Sequence, residues 1–211
     1  MSSAEAVHLD MREPVIEAFQ PVEHVDFPDS GVISLLMPME GGKLVELASV
    51  GKEGLIGLPV LLGVATVGEL AFCQVPSMCW RIPAARFKEL LKEHIELSKL
   101  CNRYIMMLFE QIAINTGCNR THSTEQRLAR WLLLTHDRCD REQMILTQEF
   151  LANMLGVSRT GVNAVAGKFA EQGLIKYVRG KVDILDRPTL EQQCCSCYTR
   201  MCEATDKVFG H

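Results

Sequence analysis

The sequence lacks several features that would place it in other classes of protein. It has no run of about 18 consecutive apolar residues, the length that a membrane-spanning helix needs. It has no His-x-His pair and no His-Glu-x-x-His, Gly-x-Ser-x-Gly or Gly-x-x-x-x-Gly-Lys-Ser/Thr motif. We therefore expect neither a membrane protein nor an enzyme. The alternative of a metal-dependent oxygenase built on a β-roll has no clustered histidine ligands to support it.

The chain also lacks the strongly basic charge of a protein that binds nucleic acid over its whole surface. Its 211 residues carry a net charge of −4. Residues 1–96 hold 7 Lys and Arg against 14 Asp and Glu, whereas residues 97–211 hold 15 against 12. An acidic first half repels phosphates, and a mildly basic second half can approach them. This asymmetry, in a chain long enough for two domains, favours a sensor joined to a DNA reader.

The N-terminus lacks the charged and apolar regions of a signal peptide, so we expect a cytoplasmic protein whose thiols stay reduced. Five of its nine cysteines are predicted to be buried core residues: Cys73, Cys79, Cys101, Cys118 and Cys139. The others crowd the C-terminal end: Cys194, Cys195, Cys197 and Cys202. Thiolates at this spacing can bind a soft metal or form a redox disulfide. The same four cysteines can instead pack as small apolar residues of a short helix.

Residues 1 to about 80 have the pattern of an all-β domain. Short apolar runs over 22–27, 32–37, 44–50, 70–75 and 78–82 are separated by turn residues, which predicts a small jelly roll or barrel. The pattern changes at Pro83. A short helix is predicted over 86–91, a long helix over about 95–118, and a further helix that Ser123 or Thr124 caps.

Residues 146–169 have the pattern of a helix-turn-helix. The small residue Ala152 stands where the helices cross, Gly156 permits the tight turn, and Ser158 can cap the second helix. An apolar face at helical spacing can pack inward. The opposite face can enter a major groove about 12 Å wide and carries the predicted base-reading residues: Ser158, Arg159, Thr160, Asn163 and Ala164.

A β-hairpin with a basic tip is predicted after the helix-turn-helix, because apolar runs over 174–178 and 181–185 flank Arg179-Gly180. This order of elements is a winged helix. Phosphate contacts position a protein on DNA rather than specify a sequence. We assign such contacts to six residues: Thr147, Gln148, Lys168, Lys176, Arg179 and Lys181.

The long helix carries residues at alternating spacings of three and four, as the seam of a coiled coil does. They are Leu97, Leu100, Tyr104, Met107, Gln111 and Ile114. A seam of under three heptads can also pack against its own domain. We favour a homodimer interface, because a motif that reads half-sites is usually doubled by two-fold symmetry.

The order of these parts resembles the Crp/Fnr family of bacterial transcription regulators over roughly residues 7–190. The features that carry the resemblance are the β-roll, the glycine phrase 51–57, the long helix, and the winged helix with Leu155-Gly-Val-Ser-Arg-Thr-Gly-Val162. The resemblance implies an α+β fold: a cyclic-nucleotide-binding-like β-roll over 1–82, connecting and dimerisation helices over 83–118, a winged helix-turn-helix over 119–188 and a cysteine-rich helix or tail over 189–211. Because the family normally begins with a helix and a strand before the point where this chain starts, we expect a short roll.

The resemblance also implies a homodimer that binds double-stranded DNA at a two-fold site and contacts RNA polymerase. The family's base-reading positions fall on Arg159, Thr160, Asn163 and Ala164. Arg159 could instead clamp a phosphate. Thr160 and Ala164 stand where many members have Glu and Arg, which predicts an operator unlike the usual family sites.

The family's known sensors are not expected in this chain. Leu58, Val67 and Gly68 align where members that bind cyclic AMP have a Glu and an Arg-Ser pair, so we expect no cyclic AMP in the family's mode. No cysteine precedes Cys73, which excludes the N-terminal iron–sulfur cluster of the oxygen-sensing branch. His8, His24 and His94 show no pattern of haem ligation. No cofactor is predicted, and the effector is unknown.

The sequence therefore predicts a sequence-specific DNA-binding regulator that acts as a homodimer. Two alternatives stay open. One is a regulator that responds to redox state or to metal through its C-terminal cysteines. The other is a β-roll interaction module whose helix-turn-helix only dimerises.

Overall fold

A computed structural model describes residues 4–139 and 143–209, and it has the predicted α+β fold. The first part is a roll of two antiparallel sheets. Strands β1 (Glu5–Leu9) and β3 (His24–Pro28) flank β7 (Ser77–Pro83) in the first sheet. The second sheet has the order β2 (Pro14–Ile16), β6 (Leu70–Val75), β4 (Val32–Pro38), β5 (Leu44–Val50). A 3-10 turn (Glu40–Gly42) and helix α1 (Leu58–Leu62) lie in its connections.

The second sheet is covered on both faces, which explains the nearly continuous apolar run of β4. Val25, Ile33 and Cys73 are buried in the core between the two sheets. Leu36 lies beyond an irregularity in the β4–β5 register and joins a separate core formed with the C-terminal half. The register shift turns Leu36 toward that half, so one strand serves two cores.

Two helices connect the roll to the C-terminal half. Helix α2 (Ala84–Glu93) buries Phe87 against the roll. Helix α3 (Ile95–Thr121) spans 27 residues and ends three residues beyond the predicted Cys118. One side of α3 packs on the roll, where the Tyr104 hydroxyl donates to the Leu55 carbonyl at 3.2 Å.

The predicted dimer seam on α3 is wrong for four of its six residues. Tyr104, Met107, Gln111 and Ile114 are buried inside their own chain, and Leu97 and Leu100 are half-buried. They pack against the roll and the C-terminal helix, whose Thr205 hydroxyl lies 3.5 Å from the Gln111 amide nitrogen. Side chains enclosed in this way cannot meet a second copy. The helical spacing identified a buried face, and the chain itself covers that face.

The C-terminal half is a winged helix. Helix α4 (Thr124–Arg138) begins with a capping box in which the Ser123 side chain and Gln126 satisfy each other's backbone N–H groups. The helix-turn-helix comprises α5 (Gln148–Leu155) and α6 (Arg159–Glu171). The wing has the order β8 (Gln143–Ile145), β10 (Lys181–Ile184), β9 (Ile175–Val178). Helices α7 (Arg187–Gln193) and α8 (Cys197–Phe209) follow, and α8 packs along α3.

Ionic and polar contacts, together with a row of aromatic rings, join the winged helix to the roll. The Trp131 indole N–H donates to the buried Glu46 carboxylate at 2.6 Å. Arg138 pairs with Glu53, also at 2.6 Å. Phe150 makes edge-on contacts with Phe72 of the roll and with Trp131 of α4. None of the described helices is both long enough and apolar enough to cross a membrane.

Candidate DNA interface

The turn between α5 and α6 is built from the predicted residues. Gly156 adopts a left-handed conformation with φ 61°, which favours glycine, and ends α5. The Ser158 hydroxyl accepts a hydrogen bond from the Gly161 N–H at 3.1 Å and caps α6. Thr147 caps α5 in the same way through the Phe150 N–H. Each cap sets the start of a helix, and so the angle at which α6 leaves the core.

Helix α6 has a buried face and an exposed face. Val162, Ala166 and Phe169 are buried against the rest of the winged helix. The five predicted base-reading residues are all exposed: Ser158, Arg159, Thr160, Asn163 and Ala164. The Asn163 carboxamide oxygen accepts from Gln148 at 2.5 Å, so a side chain of α5 orients a side chain of α6. A free polar face beside an anchored apolar face is what insertion into a groove requires.

The wing carries its basic tip on a two-residue turn. Lys181 pairs with Val178 across the hairpin, which leaves Arg179 and Gly180 as the loop. Their φ angles are 52° and 75°. Positive φ at both central residues defines a type I′ turn, whose twist matches that of the flanking strands. Arg179 is therefore projected from a rigid tip.

An open cleft of about 420 Å³ lies between the starts of α5 and α6 and the wing tip. It brings one predicted base-reading residue together with three predicted phosphate contacts, and Glu149 adds one negative charge to them. Its lining comprises Thr147, Gln148, Glu149, Arg159, Tyr177, Arg179 and Gly180. Two arginines beside the starts of two helices make a cleft suited to the phosphates at a groove edge.

The other predicted phosphate contacts lie outside this cleft. Lys176 and Lys181 are exposed on the wing strands. Lys168 donates to Glu125 of α4 at 2.7 Å, so it can reach a phosphate only when that ion pair opens.

The roll offers little positive charge where a cyclic phosphate would be held. Leu58 and Val67 align with cyclic AMP-binding positions of the family. Leu58 is the first residue of α1. Val67 lies in the loop after α1, where its carbonyl accepts a hydrogen bond from the Phe19 N–H. The sequence has no Lys or Arg between Lys52 and Arg81. The Arg81 guanidinium is itself paired with the buried Asp26 at 2.7 Å.

The four C-terminal cysteines do not gather as one group. Cys195 and Cys197 meet Cys118 and His122 of α3, and the four ligand atoms all lie within 4.8 Å of one another. Cys194 and Cys202 are not members of this cluster. Burial raises the pKa of the Cys118 thiol to about 12, although the charge of Arg130 opposes the shift. Burial also raises the pKa of Cys197.

Sequence reasoning missed His122 as a partner of these cysteines and assigned Cys118 to the core alone. The available signal was a pair of short spacings, Cys118-x-x-x-His122 at the end of a helix and Cys195-x-Cys197 after another. Residues four apart lie on the same face of a helix. Each pair alone is weak, and only the fold brings the two pairs together.

Comparisons with known proteins agree with this architecture. The Crp-like helix-turn-helix domain family matches residues 126–193. No curated protein sequence matches the chain. The solved structure of FixK2 from Bradyrhizobium japonicum is similar, with a TM-score of 0.77 and 13% identity over 91% of this chain and 98% of that one.

Two transcriptional regulators of Thermus thermophilus are also similar. One, of the CRP family, gives a TM-score of 0.74 at 17% identity over 89% of this chain and 95% of its own. The other, of the CRP/FNR family, gives 0.71 at 21% identity over 90% and 97%. These two structures share the fold of this chain.

Proposed function

The chain carries a Crp-like helix-turn-helix domain and has the fold of the Crp/Fnr regulators, and from this premise we propose that it binds a specific DNA operator as a homodimer. The exposed polar face of α6 carries the proposal. Arg159 and Asn163 project from the helix that would enter the major groove, and the cleft beside them ends at the basic wing tip. RNA polymerase stays a predicted partner. The cytoplasm stays the predicted location, because DNA is accessible there.

The exposed side of α3 supports the dimer, in place of the buried seam. This side, here called the α3 stripe, repeats at spacings of three and four. Its members are Ile95, Lys99, Asn102, Met106, Phe109, Ala113 and Thr116. Ile95, Met106 and Phe109 are each at least 63% exposed, which is unusual for large apolar side chains on one helix. A second α3 packed on this stripe would bury them and place two reading helices on one side of the dimer.

We infer that cyclic AMP does not gate this regulator in the family's usual mode. The absence of a basic residue from the sequence between Lys52 and Arg81 supports the inference, because a phosphate held in the roll needs a paired cation. The alternative of a regulator responsive to redox state or metal also stays a proposal. The meeting of Cys195 and Cys197 with Cys118 and His122 favours its metal version.

The decisive experiment is selection of bound sequences from random duplexes by the full-length chain, followed by titration of the selected operator at several salt concentrations. We expect a two-fold sequence with half-sites about one helical turn, ~34 Å, apart. If Arg159 reads a guanine edge, Arg159→Ala costs about 1–3 kcal/mol and relaxes preference at one symmetric pair of positions.

The companion variant Arg159→Lys separates base reading from phosphate contact. Lysine keeps the charge but loses the bidentate geometry, so specificity should stay relaxed. Recovery of full specificity by lysine would assign Arg159 to a phosphate instead. DNA affinity that falls neither with Arg159→Ala nor with rising salt would contradict recognition of an operator by α6 and favour the interaction module.

A further inference from the structure

A cluster of three cysteines and one histidine lies at the junction between α3, α4 and the C-terminal helices. Cys118 is in the last turn of α3, and His122 is the residue that ends this helix. Cys195 lies between α7 and α8, and Cys197 is the first residue of α8. Two chain segments more than 70 residues apart thus each contribute two side chains, and the three cysteines are buried.

Two of the six distances in this cluster are close to the edges of a tetrahedron around one metal ion, and none of the six exceeds 4.8 Å. The Cys118 and Cys195 sulfurs are 3.5 Å apart, and the Cys197 sulfur is 3.7 Å from His122 Nδ1. With Zn–S bonds of about 2.3 Å and Zn–N bonds of about 2.0 Å, a tetrahedral site has edges of roughly 3.5 to 3.8 Å. In an iron–sulfur cluster the four protein ligands are divided over two or four iron atoms, and ligands of different irons lie farther apart than the 4.8 Å that encloses all four atoms here.

The buried charges around the cluster also favour an anionic metal centre. Arg127 and Arg130 of α4 are buried, and their Nε atoms have no hydrogen-bond partner within the ranges that the structure describes. Arg130 reaches Met201 Sδ, in the same apolar cluster as Cys118, Cys195 and Cys197, at 3.4 Å. A buried guanidinium is costly without compensating negative charge. Three thiolates and a neutral imidazole around a divalent ion leave a net charge of −1, which supplies it.

We propose that Cys118, His122, Cys195 and Cys197 bind one zinc ion as a structural site. Three thiolates and one imidazole are a ligand set that zinc commonly takes, and four protein ligands leave no open position for catalysis. The ion would join the start of α8 to the junction between α3 and α4, where Ser123 caps α4. It therefore holds the winged helix in place relative to the long helix. This site is independent of whether the chain binds an operator.

Elemental analysis of the full-length chain, purified under reducing conditions without added chelator, tests the proposal. We expect one zinc per chain. Replacing the ion by Co²⁺ should give the visible bands of a tetrahedral site together with sulfur-to-metal charge-transfer absorption. Cys118→Ser, Cys195→Ser and Cys197→Ser should each lower zinc content severalfold. Cys194→Ser and Cys202→Ser are matched controls, close in sequence but outside the cluster, and should keep it.

His122→Cys keeps the test decisive if the serine variants fail to fold. A fourth thiolate preserves tetrahedral coordination, so this variant should retain one ion and increase the Co²⁺ charge-transfer absorption. Removal of zinc by a chelator should lower the thermal midpoint of the full-length chain and speed proteolysis of α8. Wild-type chain that contains no zinc and takes up neither Zn²⁺ nor Co²⁺ would overturn the proposal. So would iron with inorganic sulfide, or zinc that survives all three serine substitutions.

Discussion

Glu46 is a carboxyl group enclosed between the roll and the winged helix, and its hydrogen bonds indicate where a proton can sit. The Ser34 hydroxyl lies 2.9 Å from one Glu46 oxygen and 2.6 Å from the Gln74 carboxamide oxygen, but it has one hydrogen to donate. A protonated Glu46 would donate to Ser34 and let Ser34 donate to Gln74. Burial raises the pKa of Glu46, while Trp131, Ser34 and the charges of Arg130 and Arg138 oppose the shift.

Glu46→Gln should therefore remove a pH dependence of stability. With a raised pKa, the folded chain is stabilised fully below the ordinary value of 4.5, and this stabilisation is lost as pH rises through the folded-state pKa. Glutamine imitates the protonated carboxyl and does not titrate. The free energy of unfolding of the variant, minus that of the wild type, should rise from pH 4.5 upward. The rise levels off above the folded-state pKa. Each tenfold difference between the acid dissociation constants of Glu46 in the folded and the unfolded chain contributes about 1.4 kcal/mol to it.

Denaturant unfolding of both chains over a pH series measures this difference. Glu46→Ala serves as the control. It also does not titrate, but it leaves the Trp131 N–H buried without an acceptor, so it should be less stable than Glu46→Gln by about 1–3 kcal/mol at every pH. A Gln-minus-wild-type difference that stays constant with pH would show that Glu46 titrates normally.

At the scale of elements, one substitution at the wing tip can remove a charge without changing the backbone conformation of the turn. Arg179 has φ 52° in a type I′ turn, a conformation in which asparagine is enriched. Arg179→Asn should keep the hairpin and remove one cation. We expect weaker DNA binding for all sequences alike. The slope of log affinity against log salt should be smaller by about 0.9 for each Arg179 that contacts a phosphate, which is about 1.8 for the proposed homodimer.

Lys43→Asn is the matched control, because it removes the same charge from an exposed turn of the roll. It should leave the salt slope unchanged. If Arg179→Asn altered preference at particular base pairs and left the slope intact, the wing would read bases rather than phosphates.

The elements themselves were largely predictable, for reasons that differ from one to the next. The pattern placed β6 over the observed Leu70–Val75, because a short apolar run between turn residues defines such a strand. It missed β2 and β8, since three residues carry no periodicity. The α3 seam shows a further limit. Spacing identifies the buried face of a helix, but the partner that covers it depends on contacts distant in sequence.

At the scale of the whole molecule, the long helix has two faces with different tasks. Its buried face packs against the roll and α8, and the α3 stripe is exposed, where we propose that a second copy binds. Because the winged helix is joined to the roll by Trp131–Glu46 and Arg138–Glu53, each half of a dimer would present its reader at a set position. A ligand in the roll would change operator affinity only by preferring one such position.

Phe109→Glu tests this arrangement at the middle of the stripe, where Phe109 is 65% exposed. In a symmetric dimer the substitution would bury two carboxylates near the two-fold axis, and the cost of desolvating them should dissociate the dimer. Operator affinity should fall by roughly 100-fold or more, because binding of the second half-site loses the benefit of linkage. Leu62→Glu, at a residue of the roll that is 60% exposed, should leave both properties unchanged. Analytical ultracentrifugation and operator titration measure the two effects, and a Phe109→Glu chain that still sediments as a dimer would move the interface away from α3.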